Sequence, residues 1–284
     1  MAISIEAAEV AALRSLDDRV AIVTGAGQGL GRAFAKAFAA AGAIAVIAEL
    51  DEGKAQAVTR EIESFGGRAL AVGTDVSRTE SVEEMAARVK RDLGRIDILV
   101  NNAGIFSTLK MRPFEQIPIE EWDRVLHVNV TGVMLCCRAV TPTMREARWG
   151  RIINISSGSI SLGRPNYLHY TTSKSALIGM TRSMARELGA YGITVNAVLP
   201  GPVFTEIPRD RYAGAKEGPR RHAMRAARRG AARSDRDHAF PRLRRLGLCH
   251  RPVDHGRRWR HAFLKHTVQR IMAHKEKERL LNER

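Results

Sequence analysis

The chain has 284 residues, of which 44% are hydrophobic and 27% charged, a composition typical of a globular protein with one large domain or two small ones. Its glycine and proline contents exclude collagen-like and low-complexity chains, and no continuous apolar run reaches the ~18 residues needed to span a bilayer. Three cysteines without a CxxC pair argue against disulfide and zinc scaffolds. We therefore expect a cytoplasmic protein with reduced thiols and no metal site.

The positive charge is distributed unevenly along the chain. The formal net charge is +16, yet residues 1–208 hold 23 Lys and Arg against 22 Asp and Glu, whereas residues 209–284 hold 23 against 8. A strongly basic protein usually binds nucleic acid or an anionic surface. Because the excess is confined to residues 209–284, the two regions need separate explanations.

Residues 1–208 alternate between apolar strands and amphipathic helices. After a leader helix over residues 1–15, strands are predicted at 19–24, 44–49, 69–74, 96–101, 151–155 and 194–199. Helices are predicted after the first strand as far as residue 41, and at 52–65, 80–93, 119–145 and 170–191. Nearly continuous apolar strands separated by helices indicate an α/β fold with a doubly wound, Rossmann-like parallel sheet, formed as a single domain by residues 16–208.

A glycine-rich turn follows the first predicted strand. Thr24 begins the sequence TGAGQGLG, in which glycines permit a tight turn and let a pyrophosphate approach the N-terminus of the next helix. Such a turn is a weak signal alone, but its position after the first strand favours a dinucleotide site. The predicted cofactor contacts in it are Gly25, Gln28, Gly29, Leu30 and Gly31.

The ends of the next strands supply further candidates. Glu49 lies 18 residues beyond Gly31, close to the ~20-residue offset at which an acidic side chain accepts the ribose hydroxyls. A carboxylate there repels a 2′-phosphate, and residues 48–53 contain no Arg or Lys, so NAD is favoured over NADP. The third and fourth strands end next to the candidate contacts Asp75, Val76, Asn102, Ala103 and Gly104.

A second motif lies near the last helix, where Tyr170 and Lys174 form a YxxxK sequence thirteen residues after Ser157. With the TGxxxGxG turn, the NNAG run at 101–104, Asn129 and the Pro200-Gly201 pair, the sequence resembles the classical short-chain dehydrogenase/reductase family over roughly residues 16–207. The resemblance implies a homodimeric or homotetrameric NAD(P)-dependent enzyme acting on CH–OH groups. It also implies cofactor contacts at Tyr170, Lys174, Pro200, Gly201, Val203 and Thr205.

The chemistry of hydride transfer explains these residue types. Moving a hydride between nicotinamide and a carbinol carbon requires a proton to move at the oxygen, and Tyr170 would carry that proton. A free phenol has a pKa near ~10, so Lys174, one helical turn away, would stabilise the phenolate. Ser157 would bind the substrate oxygen, and the family resemblance implies that Asn129 holds a proton-relaying water. Each residue alone is more often structural, but their joint spacing favours a catalytic set.

The predicted substrate lining is mostly apolar and favours a neutral secondary alcohol or ketone, although an inward-pointing Arg164 would oppose this. The lining candidates are Ile105, Phe106, Ser159, Leu162, Tyr167 and Phe204. One alternative is an NADPH-dependent 3-oxoacyl carrier-protein reductase, against which Glu49 counts. Another is a catalytically weak nucleotide- or nucleic-acid-binding protein that uses the basic tail, where few aromatic residues are interleaved.

Residues 209–284 lack the lid helix and last strand that the family resemblance implies. Read in the next frame, the codons of residues 238–244 permit Met-Leu-Phe-Leu-Ala-Ser, and those of 249–254 permit Val-Thr-Gly-Gln-Ser, both typical of the family. Our hypothesis is that a frame change begins between about Pro208 and Gly230. The tail would then be irregular or disordered, and its basic charge would not indicate a binding function.

The coding DNA tests this hypothesis. We expect the next frame, translated from the interval between Pro208 and Gly230, to give an uninterrupted amino-acid sequence that resembles the family. Stop codons in that frame, or an amino-acid sequence unlike that of the family, would show that the basic tail is genuine.

Overall fold

A computed structural model describes residues 16–163, 165–201, 203 and 205–207. The predicted leader helix at 1–15, the predicted tail at 209–284, and the candidates Arg164 and Phe204 lie outside the described residues. The boundaries of the three predicted segments therefore stay predictions.

Six parallel strands form one sheet in the order β3-β2-β1-β4-β5-β6. The strand order changes direction at β1, because β2 and β3 follow on one side of it and β4, β5 and β6 on the other. The central pair, β1 and β4, is parallel, with Ile22 opposite Leu99. In open α/β sheets a ligand crevice lies outside the carboxyl ends of the strands at such a reversal. The strands are β1 Val20–Thr24, β2 Ile44–Glu49, β3 Arg68–Gly73, β4 Ile98–Asn101, β5 Gly150–Ile155 and β6 Ile193–Val198.

Helices connect these strands, which confirms the predicted doubly wound fold. They are α1 Gly29–Ala40, α2 Glu52–Glu63, α3 Thr79–Leu93, α4 Ile119–Leu126, α5 Gly132–Glu146, α6 Ser159–Leu162 and α7 Leu168–Leu188. The single helix predicted over 119–145 is divided into α4 and α5 by a π-helical turn at His127–Thr131. Such turns are often found at functional sites.

The core lies between the sheet and its helices. All five residues of β1 are buried, and α5 contributes Cys136, Val140 and Met144 to the same cluster. The helical stretch Ile119–Glu146 is long and apolar enough to cross a membrane by composition alone, but half of its most apolar window is buried inside the protein. Packing against the sheet accounts for this apolar character.

Burial also explains the behaviour of the two adjacent cysteines on α5. It raises the pKa of both Cys136 and Cys137 well above the ordinary thiol range. Protonated, buried thiols are poor nucleophiles, so these residues act as small packing groups.

Candidate active site

The glycine-rich turn between β1 and α1 is closely packed against the end of β4. Gly25 has φ +62°, and a Cβ at this position would lie 2.8 Å from Cα of Ala103. A Cβ at Gly31 would overlap the carbonyl oxygen of Gly25. The side-chain amide of Asn102 donates to the carbonyl oxygens of Thr24 and Gly25, both at 3.0 Å. The NNAG segment thus supports the turn.

Glu49 lies beside this turn, as its spacing predicts. Its Oε2 accepts a hydrogen bond of 2.9 Å from the Gly27 N–H, and its Oε1 accepts one of 3.0 Å from the Leu50 N–H. Residues 48–53 contain no basic side chain, but Lys54 follows directly after them. Its Cβ also lies beside the glycine-rich turn, 2.8 Å from the position that a Cβ on Gly27 would take. Its ammonium is 3.7 Å from the carboxylate of Asp51. The Lys54 side chain therefore begins beside Glu49, the acid predicted to favour NAD, and its ammonium pairs with Asp51.

The N-terminus of α1 holds an anion supplied by the protein. The Gly29 N–H donates to Oε1 of Glu206 at 2.9 Å, and Nη1 of Arg32 donates to the same oxygen at 3.3 Å. Helix N-termini bind anions through free N–H groups and the helix dipole. The carboxylate stands in for a phosphate, so the turn fits an anionic cofactor. Gln28 is exposed at the N-cap position, and Leu30 is half-buried in the first turn.

The other predicted cofactor residues shape the same edge of the sheet. The Asp75 carboxylate accepts hydrogen bonds from the Ser77 N–H at 2.9 Å and the Ser77 hydroxyl at 2.6 Å. Val76 is buried against Gly132. The carbonyl oxygen of Pro200 accepts a hydrogen bond of 2.9 Å from the Gly158 N–H, which brings the segment after β6 beside the segment after β5. Gly201 is exposed, whereas Val203 and Thr205 are half-buried.

Lys174 and Tyr170 share one face of α7, as their spacing predicts. The Lys174 side chain is buried, and its Nζ donates a 2.8 Å hydrogen bond to the carbonyl oxygen of Ile155. The same Nζ lies 5.9 Å from the centre of the Tyr170 ring. Burial lowers the pKa of Lys174 to about 8. The side chain therefore remains mainly a cation at neutral pH.

Asn129 lies fully buried in the π-helical turn and links two regions of the site. Its Oδ1 accepts from the Ile105 N–H at 2.7 Å, and its Nδ2 donates to the Ser173 hydroxyl at 3.0 Å. A Cβ at Gly104 would lie 3.0 Å from Oδ1 of Asn129 and 3.4 Å from Nζ of Lys174. The side chains of Asn129 and Lys174 therefore meet beside Gly104, where the lack of a side chain leaves room for both. The sequence motifs gave no signal for Ser173 as a partner of Asn129.

Ser157 lies just beyond the carboxyl end of β5 and is half-buried. Its hydroxyl oxygen accepts a 3.1 Å hydrogen bond from the Ser159 N–H. The adjacent Ser156 is buried, and its hydroxyl donates to the main-chain carbonyl of Lys174 at 2.7 Å. Ser156 thus holds α7 against β5, which separates its role from that predicted for Ser157.

The predicted substrate-lining residues occupy different environments. The Phe106 and Tyr170 rings lie 4.5 Å apart, and Tyr167 is fully buried with its ring 6.0 Å from that of Phe106. Ser159 is half-buried, whereas Leu162 on the short α6 is 76% exposed. Phe106 and Tyr167 therefore form an aromatic support for Tyr170. Among the described residues, no group of three or more His, Cys, Asp or Glu side chains is placed to hold a metal ion.

Comparison with known proteins identifies the family. A family model described as short chain dehydrogenase matches residues 19–216. The chain belongs to this family. Its relatives include a 3-oxoacyl-[acyl-carrier-protein] reductase of Synechocystis sp., 40% identical over 69% of this chain and 78% of the relative. A D-threitol dehydrogenase of Mycolicibacterium smegmatis is 34% identical over 74% of this chain and 78% of its own length.

Solved structures support the same assignment. An NAD+-bound xylitol dehydrogenase superimposes with a TM-score of 0.64 at 34% identity, covering 66% of this chain and 71% of that one. This short-chain dehydrogenase is therefore an oxidoreductase that acts on CH–OH or oxo groups. The family match ends at residue 216, inside the interval where we place the start of the frame change. The frame change itself stays a prediction.

The buried cation predicts a distinctive pH dependence of stability. In the unfolded chain Lys174 has its ordinary pKa of 10.5, against about 8 in the folded protein. Between these values the unfolded state binds one more proton, so stability rises with pH. Relative to Lys174→Met, the wild-type free energy of unfolding should increase by about 3 kcal/mol between pH 8 and pH 10.5, since each pKa unit is worth ~1.4 kcal/mol.

Urea titrations of both proteins across this pH range would measure the difference. The pair is compared in a Tyr170→Phe background, because Lys174 is proposed to stabilise the Tyr170 phenolate and that titration would otherwise differ between the two proteins. A difference that stays constant with pH would show that Lys174 is not desolvated in the folded protein.

Proposed function

We propose that this short-chain dehydrogenase uses NAD to interconvert a neutral secondary alcohol and its ketone, with Tyr170 as the general acid and base. The observation that carries the proposal is the convergence of the buried Lys174 ammonium with Tyr170 and Asn129 beside Gly104. A buried cation next to a phenol supplies the electrostatic stabilisation that a tyrosine base needs at neutral pH.

Each catalytic side chain has a separate task in this proposal. Bound nicotinamide would supply the hydride acceptor or donor. Tyr170 takes the hydroxyl proton during oxidation and returns it during reduction, while Lys174 stabilises the intervening phenolate. Ser157 donates a hydrogen bond to the substrate oxygen. Asn129 connects the Ile105 backbone to α7 and is placed to order a proton-relaying water near Lys174.

The cofactor assignment depends on the balance between Glu49 and Lys54. The Glu49 carboxylate beside the glycine-rich turn would accept ribose hydroxyls and repel a 2′-phosphate. The similar xylitol dehydrogenase structure has NAD+ bound, which supports the same choice here. Lys54 is the nearby cation that favours the opposite choice, but its pairing with Asp51 reduces its availability.

A second candidate is an NADPH-dependent 3-oxoacyl carrier-protein reductase. The activity for which the Synechocystis relative is named, at 40% identity, favours it, and Glu49 opposes it. Cytoplasmic localisation, a homodimer or homotetramer, and the absence of nucleic-acid partners also remain predictions.

Replacing Tyr170 tests the acid and base. Tyr170→Phe should abolish turnover of secondary alcohols and ketones while changing NAD affinity by less than about threefold, because the proton carrier is lost but the ring remains. Tyr191→Phe is a matched control, since its ring contacts Arg145 away from the site. Turnover is measured by NADH absorbance over a panel of secondary alcohols, and affinity by calorimetry. Full activity of Tyr170→Phe would exclude Tyr170 as the proton carrier.

Cofactor choice is tested by calorimetry with NAD and NADP. The wild type should bind NAD at least about tenfold more tightly than NADP, and Glu49→Gln should reduce that ratio because the repelling charge is removed. Lys54→Met should affect NADP more than NAD. Tighter binding of NADP by the wild type, together with reduction of an acetoacetyl thioester, would favour the carrier-protein reductase instead.

A further inference from the structure

The segment after β6 lies across the first residue of α1. Ile207 packs there, since a Cβ at Gly29 would lie 2.7 Å from Cδ1 of Ile207. The neighbouring Glu206 places its carboxylate on the Gly29 N–H at 2.9 Å. The first turn of α1 contains no acidic residue of its own. The anion at this helix N-terminus is therefore supplied from 177 residues further along the chain.

Arg32 is oriented toward the same point by another helix. Its Nε and Nη2 donate to the Glu61 carboxylate on α2 at 2.9 Å and 2.7 Å, a paired geometry that fixes the guanidinium plane. The remaining Nη1 points to Glu206 at 3.3 Å. Lys36 also contacts Glu61, at 3.1 Å. Because Glu61 holds two of the Arg32 nitrogens, the third stays directed at the helix N-terminus when Glu206 leaves.

Glu206 and a dinucleotide phosphate would require the same donors. A helix N-terminus at a glycine-rich turn binds one anionic oxygen cluster through the N–H of its first residues. Two anions in that space would repel one another, so one must leave before the other binds.

We propose that Glu206 is an internal competitor for the cofactor phosphates, and that their binding transfers Gly29 N–H and Arg32 from the carboxylate to the phosphate. Arg32 is then a phosphate ligand oriented in advance by Glu61. The inference deepens the proposed function, because it assumes that this turn binds a dinucleotide. It assigns to Glu206 a role in weakening cofactor affinity and to Arg32 a role in strengthening it.

The central experiment measures binding of NAD, ADP and adenosine to the full chain by calorimetry. Glu206→Gln should tighten NAD and ADP about fivefold, because a neutral amide competes less strongly for the helix N-terminus. Adenosine carries no phosphate, so its affinity should not change. Glu206→Asp keeps the charge but shortens the side chain, and it should also tighten NAD.

Glu61→Gln separates this competition from general electrostatics. If only the overall charge mattered, removal of any acid near the phosphates would tighten NAD binding. General electrostatics therefore predicts tighter NAD binding for Glu61→Gln as well as for Glu206→Gln. Our proposal predicts weaker NAD binding for Glu61→Gln, because Arg32 loses the partner that orients it. Glu187→Gln, on the exposed side of α7, is the neutral control for losing one acid.

The outcomes separate the inference from the proposed function. Unchanged NAD affinity in Glu206→Gln would overturn the competition while leaving the dehydrogenase proposal intact. Tightening by both Glu206→Gln and Glu61→Gln would do the same, because overall charge would then explain the result. Failure of the wild type and every variant to bind NAD, NADP or ADP would overturn both. Circular dichroism of each variant shows whether it is folded.

Discussion

Burial of the Lys174 ammonium is the constraint on which the site depends. A buried cation is unfavourable unless its protons find acceptors, and the Ile155 carbonyl oxygen at the carboxyl end of β5 supplies one. The site also needs room at the same depth, and Gly104 provides it because it has no side chain to contact Asn129 or Lys174. Ser156 then holds the backbone of α7 against β5. The cation is thus held at the carboxyl end of β5, in the space that Gly104 leaves beyond the end of β4.

The lowered pKa of Lys174 results from this arrangement and suits the chemistry. Desolvation alone shifts it to about 8, because burial disfavours the charged form. At neutral pH the cation persists in a poorly solvated setting, where its effect on a neighbouring phenol is stronger than in water. The aromatic contact between Phe106 and Tyr170 excludes water from one side of the phenol ring.

The sequence predicts the elements and the residues that share a helix face, because these depend on local periodicity. Tyr170 and Lys174 lie together since residues four apart always do in a helix. Glu49 reaches the glycine-rich turn since β2 lies beside β1 in a doubly wound sheet. The π-helical turn at Asn129 and the contact between Glu206 and Gly29 have no local signal. The π-helical turn depends on packing between α4, α5 and α7. The contact between Glu206 and Gly29 joins chain segments that are far apart in sequence.

Glu206 also connects the cofactor site to the point where the character of the sequence changes. The proposed catalytic set lies before Pro208, the earliest point at which we place a change of reading frame, so that change would leave Tyr170, Lys174 and Asn129 intact. Ile207, which packs against Gly29, lies immediately before Pro208 in the sequence. A frame change at that point would therefore leave both the proposed proton-transfer residues and the contact of Glu206 with the Gly29 N–H within the unchanged part of the sequence.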